Sequence, residues 1–277
     1  MPRSPKITIV SAWVGDEPAW LGKIVDNHKE YAAYHGYEYL LFDNVRVPGF
    51  RHLANPNPDP RWIMLEALQS SLGSSDFVFW IDADSAFVEI RRNLSDVLPT
   101  GSKSLTFTGD PNDLCNTGHL LVRNTAFSRG FLNDWGMLAQ LPFPKLSTTM
   151  QTEDGYVGDQ VALNYLLGGG KPDAMHILKF GPEIFNTVNG WRGNPHRRHR
   201  NFHKTHAPTS FLRVQRAKRL VAPSLRKHVK IVPQHRLNAY PWWKPGEKGT
   251  NRRGPIVHFV GPGKNLIDDF ADGREVR

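Results

Sequence analysis

Apolar and polar positions divide the chain into alternating strand-like and helix-like runs. KITIVSAW (6–13) is apolar and β-branched almost throughout, as a strand buried on both faces should be. Beyond Asp16, a residue able to cap a helix, Trp20, Leu21, Ile24, Val25, Tyr31 and Ala32 recur at helical spacing until Gly36. YEYLLF (37–42) then returns to a strand pattern. Strand, helix and strand in so short a stretch predict a βαβ unit, and hence an α/β fold with a parallel sheet.

The later pattern continues this theme. Residues 44–60 hold four prolines and few apolar side chains and read as a loop. RWIMLEALQSSLG (61–73) predicts a helix with Met64, Leu65, Leu68 and Leu72 on one face. DFVFWIDAD (76–84) predicts a third strand, apolar until its last residues. KSLTFT (103–108) and CNTGHLLVRN (115–124) predict two more strands. In 125–140, Phe127, Phe131, Trp135 and Leu138 fall at helical intervals. DGYVGDQVALNYLL (154–167) predicts a further helix, stopped by Gly168, Gly169 and Gly170. KIVPQ (230–234) and PIVHFV (255–260) predict late strands. There is no internal repeat, so 1–277 reads as one domain. Residues 171–229 have the weakest periodicity, and 171–230 is expected to be an inserted lobe facing an acceptor or a membrane.

Composition changes this picture in one place. The 277 residues are 39% hydrophobic and 22% charged, ordinary values for a globular chain with a sizeable core. The net charge of +9 is concentrated. Between Trp191 and Arg236 there are thirteen Lys or Arg, six His and no acidic residue. The remainder of the chain is net negative. Such a stretch gathers anions: headgroups, acidic glycans, phosphates or nucleic acid. The single Cys115 excludes an intrachain disulfide framework. No apolar run is long enough to span a bilayer, and the N-terminus has no apolar signal segment. A cytoplasmic location, peripheral to a membrane at most, is expected.

Four local patterns carry chemistry. An apolar strand delivers Asp82 and Asp84 at its C-terminal end, the end where open α/β sheets bind ligands. Two close carboxylates repel unless a cation lies between them, and hard oxygen ligands suit Mn²⁺ or Mg²⁺. Such an ion can neutralise charge building on a departing diphosphate. In PIVHFVGPGK (255–264), His258 could add a nitrogen ligand. Gly261 and Gly263 would admit phosphate close to the backbone, and Lys264 would meet its charge. Asp159-Gln160 opens a helix, and Asn116-Thr117-Gly118 is a small polar start to an apolar strand. Each pattern also has a plainer reading: a solvated strand end, a core histidine, an exposed helix face, a β-turn.

Taken together, HKEYAAYHGYEYLLF (28–42), WIDADSAF (80–87), NTGHLLVRN (116–124), DQVALNYLL (159–167), VPQHRLNAYPW (232–242) and IVHFVG (256–261) resemble one family in order and spacing. It is the galactosyl/mannosyl/xylosyltransferase family, which includes yeast α-mannan galactosyltransferases and plant xyloglucan xylosyltransferases. The resemblance covers most of the chain. It implies a GT-A-type, Rossmann-like nucleotide-sugar-binding fold with a central, mostly parallel sheet. It also implies a UDP-sugar donor (less often GDP-mannose), Mn²⁺, a glycan or glycolipid acceptor, and retention of anomeric configuration. Carried over by position, Asp82, Asp84 and His258 would be metal ligands, and Asp159 and Gln160 would sit beside the donor sugar. Asn116 and Gly118 would line the donor pocket. Lys264 would meet the diphosphate with Gly261 and Gly263 beside it, and Ser11 and Ala12 would lie near the base. Against the family's pattern, no N-terminal anchor is expected, and the turn after His258 is Gly-Pro-Gly-Lys.

Two other classes compete. Phosphatase-like hydrolases place Asp-x-Asp after the first strand, whereas here it follows the third. A nucleic-acid- or polyanion-binding protein could use residues 191–236, with Trp191, Phe202 and Phe211 stacking on bases. No recognised nucleic-acid motif accompanies them, and no nucleic-acid partner is expected. Docking of 191–230 on an anionic membrane is expected instead, with Phe211, Leu212, Val214, Leu220, Val221 and Leu225 as a shallowly inserting face.

Overall fold

The computed structural model describes residues 3–43, 59–109, 114–146, 151–188, 210–240, 254–259, 264 and 266–271. A six-stranded sheet forms the centre. Its strands are β1 (Ile7–Ala12), β2 (Glu38–Phe42), β3 (Phe77–Ile81), β5 (Leu105–Thr108), β6 (His119–Arg123) and β7 (Val229–Val232). They lie in the order β2-β1-β3-β6-β5-β7. Neighbours β1/β2, β1/β3 and β5/β7 are parallel, and only β6 runs against its neighbours β3 and β5. A two-stranded ribbon pairs β4 (Ser85–Phe87) with β8 (Ile256–His258) antiparallel.

Side-chain alternation explains why the strands are apolar on both faces. Val10, Val78, Trp80, Leu120 and Val122 point into one core, where they meet α2 (Ile63–Leu72), α3 (Ala126–Leu138) and α4 (Asp159–Leu167). Ile7, Ile9, Phe79, Ile81 and Leu121 point into the other, beside Tyr31 of α1 (Leu21–His35) and Phe87 of β4. Helices on both faces bury the inner strands, so these show few polar positions, whereas the edge strand β2 stays half-exposed. The α/β class and the βαβ start are as the sequence predicts.

Several boundaries differ for physical reasons. Asp16 does not cap α1, whose first turn opens at Trp20 with no side-chain cap. Gly36 ends α1 in the left-handed region, φ 69°, with its N–H returned to Ala32 and Ala33. The helix expected over 154–167 begins only at Asp159. Gly155, at φ 88°, turns the chain so tightly that a Cβ there would lie 2.8 Å from the Phe143 carbonyl. The stretch 171–229 is not shapeless. It holds α5 (Ala174–Val188) and α6 (Ser210–Leu220). Val214, Ala217 and Val221 are buried in the main core, and Leu220 and Leu225 pack against it. The face expected to insert into a membrane is therefore turned inward at Val214, Leu220, Val221 and Leu225. Among the described residues, no helix is long and apolar enough to cross a membrane. Residues 191–209 of the basic stretch lie outside the described residues. The remaining helices among the described residues are the short α7 (Gln234–Leu237) and α8 (Ile267–Ala271).

Candidate metal and donor site

One edge of the sheet gathers the predicted residues. The parallel strands β1 and β3 end there, and the antiparallel β6 begins there, with Ile81 paired to His119. Just past β3 the Asp82 N–H donates to the Gly118 carbonyl at 2.9 Å, and Ser85 N–H returns to Asp82 at 3.0 Å. This turn holds both aspartates at the strand end. The ribbon brings β8 over them, because Ser85 pairs with His258.

Asp82, Asp84 and His258 each offer one ligand atom, all within 4.8 Å of one another. His258 Nε2 lies 3.3 Å from Asp82 Oδ2 and 3.1 Å from Asp84 Oδ1. It is buried, yet it makes no hydrogen bond. A buried nitrogen aimed between two carboxylates without hydrogen-bond geometry fits a site for a cation. Two hard oxygens and one imidazole suit Mn²⁺, with Mg²⁺ the oxygen-preferring alternative. Burial opposes a charge on His258, but Asp84 and Asp82 outweigh it and lift the imidazole to about 9. Burial likewise opposes charge on Asp84, and His258 and Lys264 outweigh it, lowering the carboxyl to about 2. Without a metal, a proton on His258 thus does the neutralising. Trp80 Nε1 donates to Asp82 Oδ1 at 2.9 Å, and Lys264 Nζ lies 3.2 Å from Asp84 Oδ2.

Asn116-Thr117-Gly118 is a turn, not the strand start that the pattern predicts. The Asn116 side chain accepts the Gly118 N–H at 2.8 Å, diverting that amide from the sheet. Gly118 is required by contact. A Cβ there would lie 2.3 Å from His258 Cε1 and 2.9 Å from Asn116 Oδ1. Helix α4 fixes the same segment from above. Gln160 Oε1 accepts from Asn116 Nδ2 at 3.3 Å and from Thr117 N–H at 3.4 Å. One turn on, Asn164 accepts the Cys115 N–H at 2.9 Å and donates to its carbonyl at 3.3 Å. Residues four apart share a helix face, so one face of α4 grips 115–117.

Asp159 opens α4, and its backbone carbonyl accepts from Trp135 Nε1 at 3.0 Å. Burial raises its carboxyl to about 6, against the pull of Arg61 and a Thr117 hydrogen bond, with Asp59 and Asp82 adding to the rise. Arg61 Nε is 4.0 Å from Asp159 Oδ1, and Arg61 is itself clamped by Asp59. Ser11 and Ala12 end β1 at the same edge, where the Ser11 hydroxyl and Tyr39 Oη are 2.6 Å apart. Gly261 and Gly263 lie outside the described residues.

Arg61, Asn164 and Asn238 belong to this neighbourhood and were not singled out from sequence. Arg61 sits in an ordinary helix start, and both asparagines look like polar interruptions of apolar runs. A buried Asn inside the apolar run 161–167 was the one available signal.

No family model matches the chain, and no curated protein matches it. Among solved structures, it resembles a glycosyltransferase involved in the glycosylation of the major capsid of PBCV-1. The TM-score is 0.51 at 12% identity, over 97% of this chain and 100% of that one. The galactosyltransferase LgtC, solved with donor and acceptor sugar analogs, matches 96% of each chain at 12% identity. Its TM-score is 0.36. The first likeness, together with the sheet order, establishes the fold. It is a GT-A-type glycosyltransferase fold with a central, mostly parallel sheet.

Proposed function

We propose that the chain is a metal-dependent glycosyltransferase. It would move a hexose or pentose from a nucleotide sugar, a UDP-sugar by the family resemblance, to a glycan or glycolipid acceptor. The observation that carries this reading is the Asp82–Asp84–His258 triad at the ligand-binding edge of a GT-A sheet, with Nε2 of His258 buried between the two carboxylates. When bound there, Mn²⁺ would act as a Lewis acid that neutralises charge on the leaving diphosphate. Asp82 is the ligand most open to solvent, at 36% exposure against 13% for Asp84 and 2% for His258, so the donor would approach from its side.

The chain's own residues have separate tasks in this reading. Lys264 balances Asp84 before the donor arrives and would then turn toward the diphosphate, with Gly261 and Gly263 giving backbone clearance. Ser11 and Ala12 would lie beside the base. Asn116 and Gly118 would line the donor pocket. Asp159, held as a buried carboxylate next to Arg61, would face the donor sugar, with Gln160 fixing the pocket wall. Retention of anomeric configuration and membership of the galactosyl/mannosyl/xylosyltransferase family rest on the sequence resemblance. Residues 191–230 would contact an anionic membrane by charge alone.

A thermal-shift panel of nucleotide sugars, with and without Mn²⁺, tests the reading. A ligand binding only the folded chain raises its melting temperature. The expected result is a shift by one class of nucleotide sugar that requires Mn²⁺ and that His258→Ala abolishes. The same variant should change the urea midpoint comparatively little. A panel without any Mn²⁺-dependent shift would contradict the proposal.

A further inference from the structure

The hydrogen bonds around His258 have a direction that can be read outward from the backbone. The Gly118 N–H can only donate, and it meets Asn116 at 2.8 Å, so the receiving atom is the amide oxygen Oδ1. Asn238 meets that same oxygen at 2.8 Å and must present its Nδ2 donor. Its own Oδ1 is then turned the other way, 3.0 Å from His258 Nδ1. An amide oxygen only accepts, so Nδ1 of His258 carries a proton. The remaining nitrogen, Nε2, is the one facing Asp82 and Asp84.

The backbone makes this arrangement rigid. Asn238 is fully buried and follows directly on α7, with its N–H donated to Gln234 at 2.7 Å. The next residue bridges to β8: Ala239 N–H donates to Ile256 at 3.1 Å, and His258 N–H donates to Ala239 at 2.7 Å. Asn238 and His258 are thereby held side by side through main-chain bonds as well as through their side chains.

We infer that Asn238 is a positioning residue for the metal ligand His258. Its amide, polarised through Asn116 by the Gly118 N–H, keeps the proton on Nδ1 and leaves Nε2 as the coordinating atom. The inference rests on the metal reading above. A partner that fixes the second nitrogen of a ligating histidine sets both the ring's orientation and its donor strength, and losing it typically weakens metal affinity about 10–100-fold.

The test is Mn²⁺ binding to the full chain by titration calorimetry, comparing wild type with Asn238→Leu, with urea midpoints measured alongside. The expected result is a loss of about 10–100-fold in Mn²⁺ affinity for a variant that remains folded. Equal affinity in both proteins would overturn the inference while leaving the metal reading in place. A wild type that binds no divalent ion would overturn the metal reading and the inference with it. Should Asn238→Leu not fold, ¹⁵N spectra of the wild type loaded with ¹¹³Cd²⁺ decide the matter, with His258 assigned by comparison with His258→Gln. Coupling of cadmium to Nε2 with a protonated Nδ1 supports the inference, and coupling to Nδ1 overturns it. A purely structural Asn238 would leave that choice of nitrogen unspecified.

Discussion

At the scale of single residues, contact distances and burial make the sharpest claims. Gly118 has no room for a methyl group, because His258 occupies the space. Gly118→Ala should push the imidazole off the carboxylates and weaken Mn²⁺ binding by about ten-fold or more, measured by calorimetry. Unchanged affinity would show that the ring does not need this position. Asp159 makes the opposite bargain. Its folded pKa of about 6 lies above the ordinary carboxylate value, so the folded state holds this proton more tightly than the unfolded chain does. Its ionisation therefore costs stability increasingly as pH rises from about 4 to 6, and by a constant amount above that. Arg61 and Asp59 beside it and Asp82 nearby set the balance. In metal-free buffer, Asp159→Asn should be more stable than wild type at pH 8 by about 1–2 kcal/mol, with the gain gone below pH about 4. It should also lose sugar transfer. Urea denaturation at the two pH values checks the stability claim, and no gain at pH 8 would count against a buried charge.

At the scale of elements, legibility followed burial. The strands β1, β3 and β6 and the helices α1 to α4 were readable because each shows one periodicity and buries an apolar face. Asp82 and Asp84 were readable because an apolar strand ends on them. The ribbon strand β4 was missed, since Ser85–Phe87 follows Asp84 directly and has no apolar run of its own like the one around β8. Helix α5 was missed because Gly181 and Pro182 break its pattern, whereas α6 falls where an interfacial helix is expected and is ordered by packing on the core at Val214, Ala217 and Val221. The grip of α4 on 115–117 was invisible, because a hydrogen bond between residues 49 apart leaves no local trace. That grip predicts a measurable loss. Asn164→Leu removes the amide that bonds both the N–H and the C=O of Cys115 and should cost about 1–3 kcal/mol in urea denaturation. A cost under about 0.5 kcal/mol, within the scatter of ordinary surface substitutions, would mean that the clamp is incidental.

At the scale of the whole molecule, charge is concentrated in one stretch of the chain. The described part of the basic stretch does not offer all its cations to a surface. Arg226 donates to the carbonyls of Val221 and Arg219, and Lys230 to those of Asp96 and Leu98. Membrane contact through 191–230 would then be electrostatic and reversible, at about 1 kcal/mol for each remaining cation near the bilayer. Sedimentation with anionic vesicles, lost at about 0.5 M salt where the Debye length falls to a few ångströms, is the expected result. Failure to bind anionic and neutral vesicles alike would remove the membrane and leave recognition of an acidic acceptor. The site itself is a GT-A sheet that presents two carboxylates and an imidazole. The most direct measurement is nucleotide release from the UDP-sugar selected by the panel, in Mn²⁺ and in EDTA, for wild type and the double variant Asp82→Asn, Asp84→Asn. The account predicts turnover by wild type in Mn²⁺ only, and none by the double variant, which should keep its fold. Near-wild-type turnover by the double variant in EDTA would contradict it.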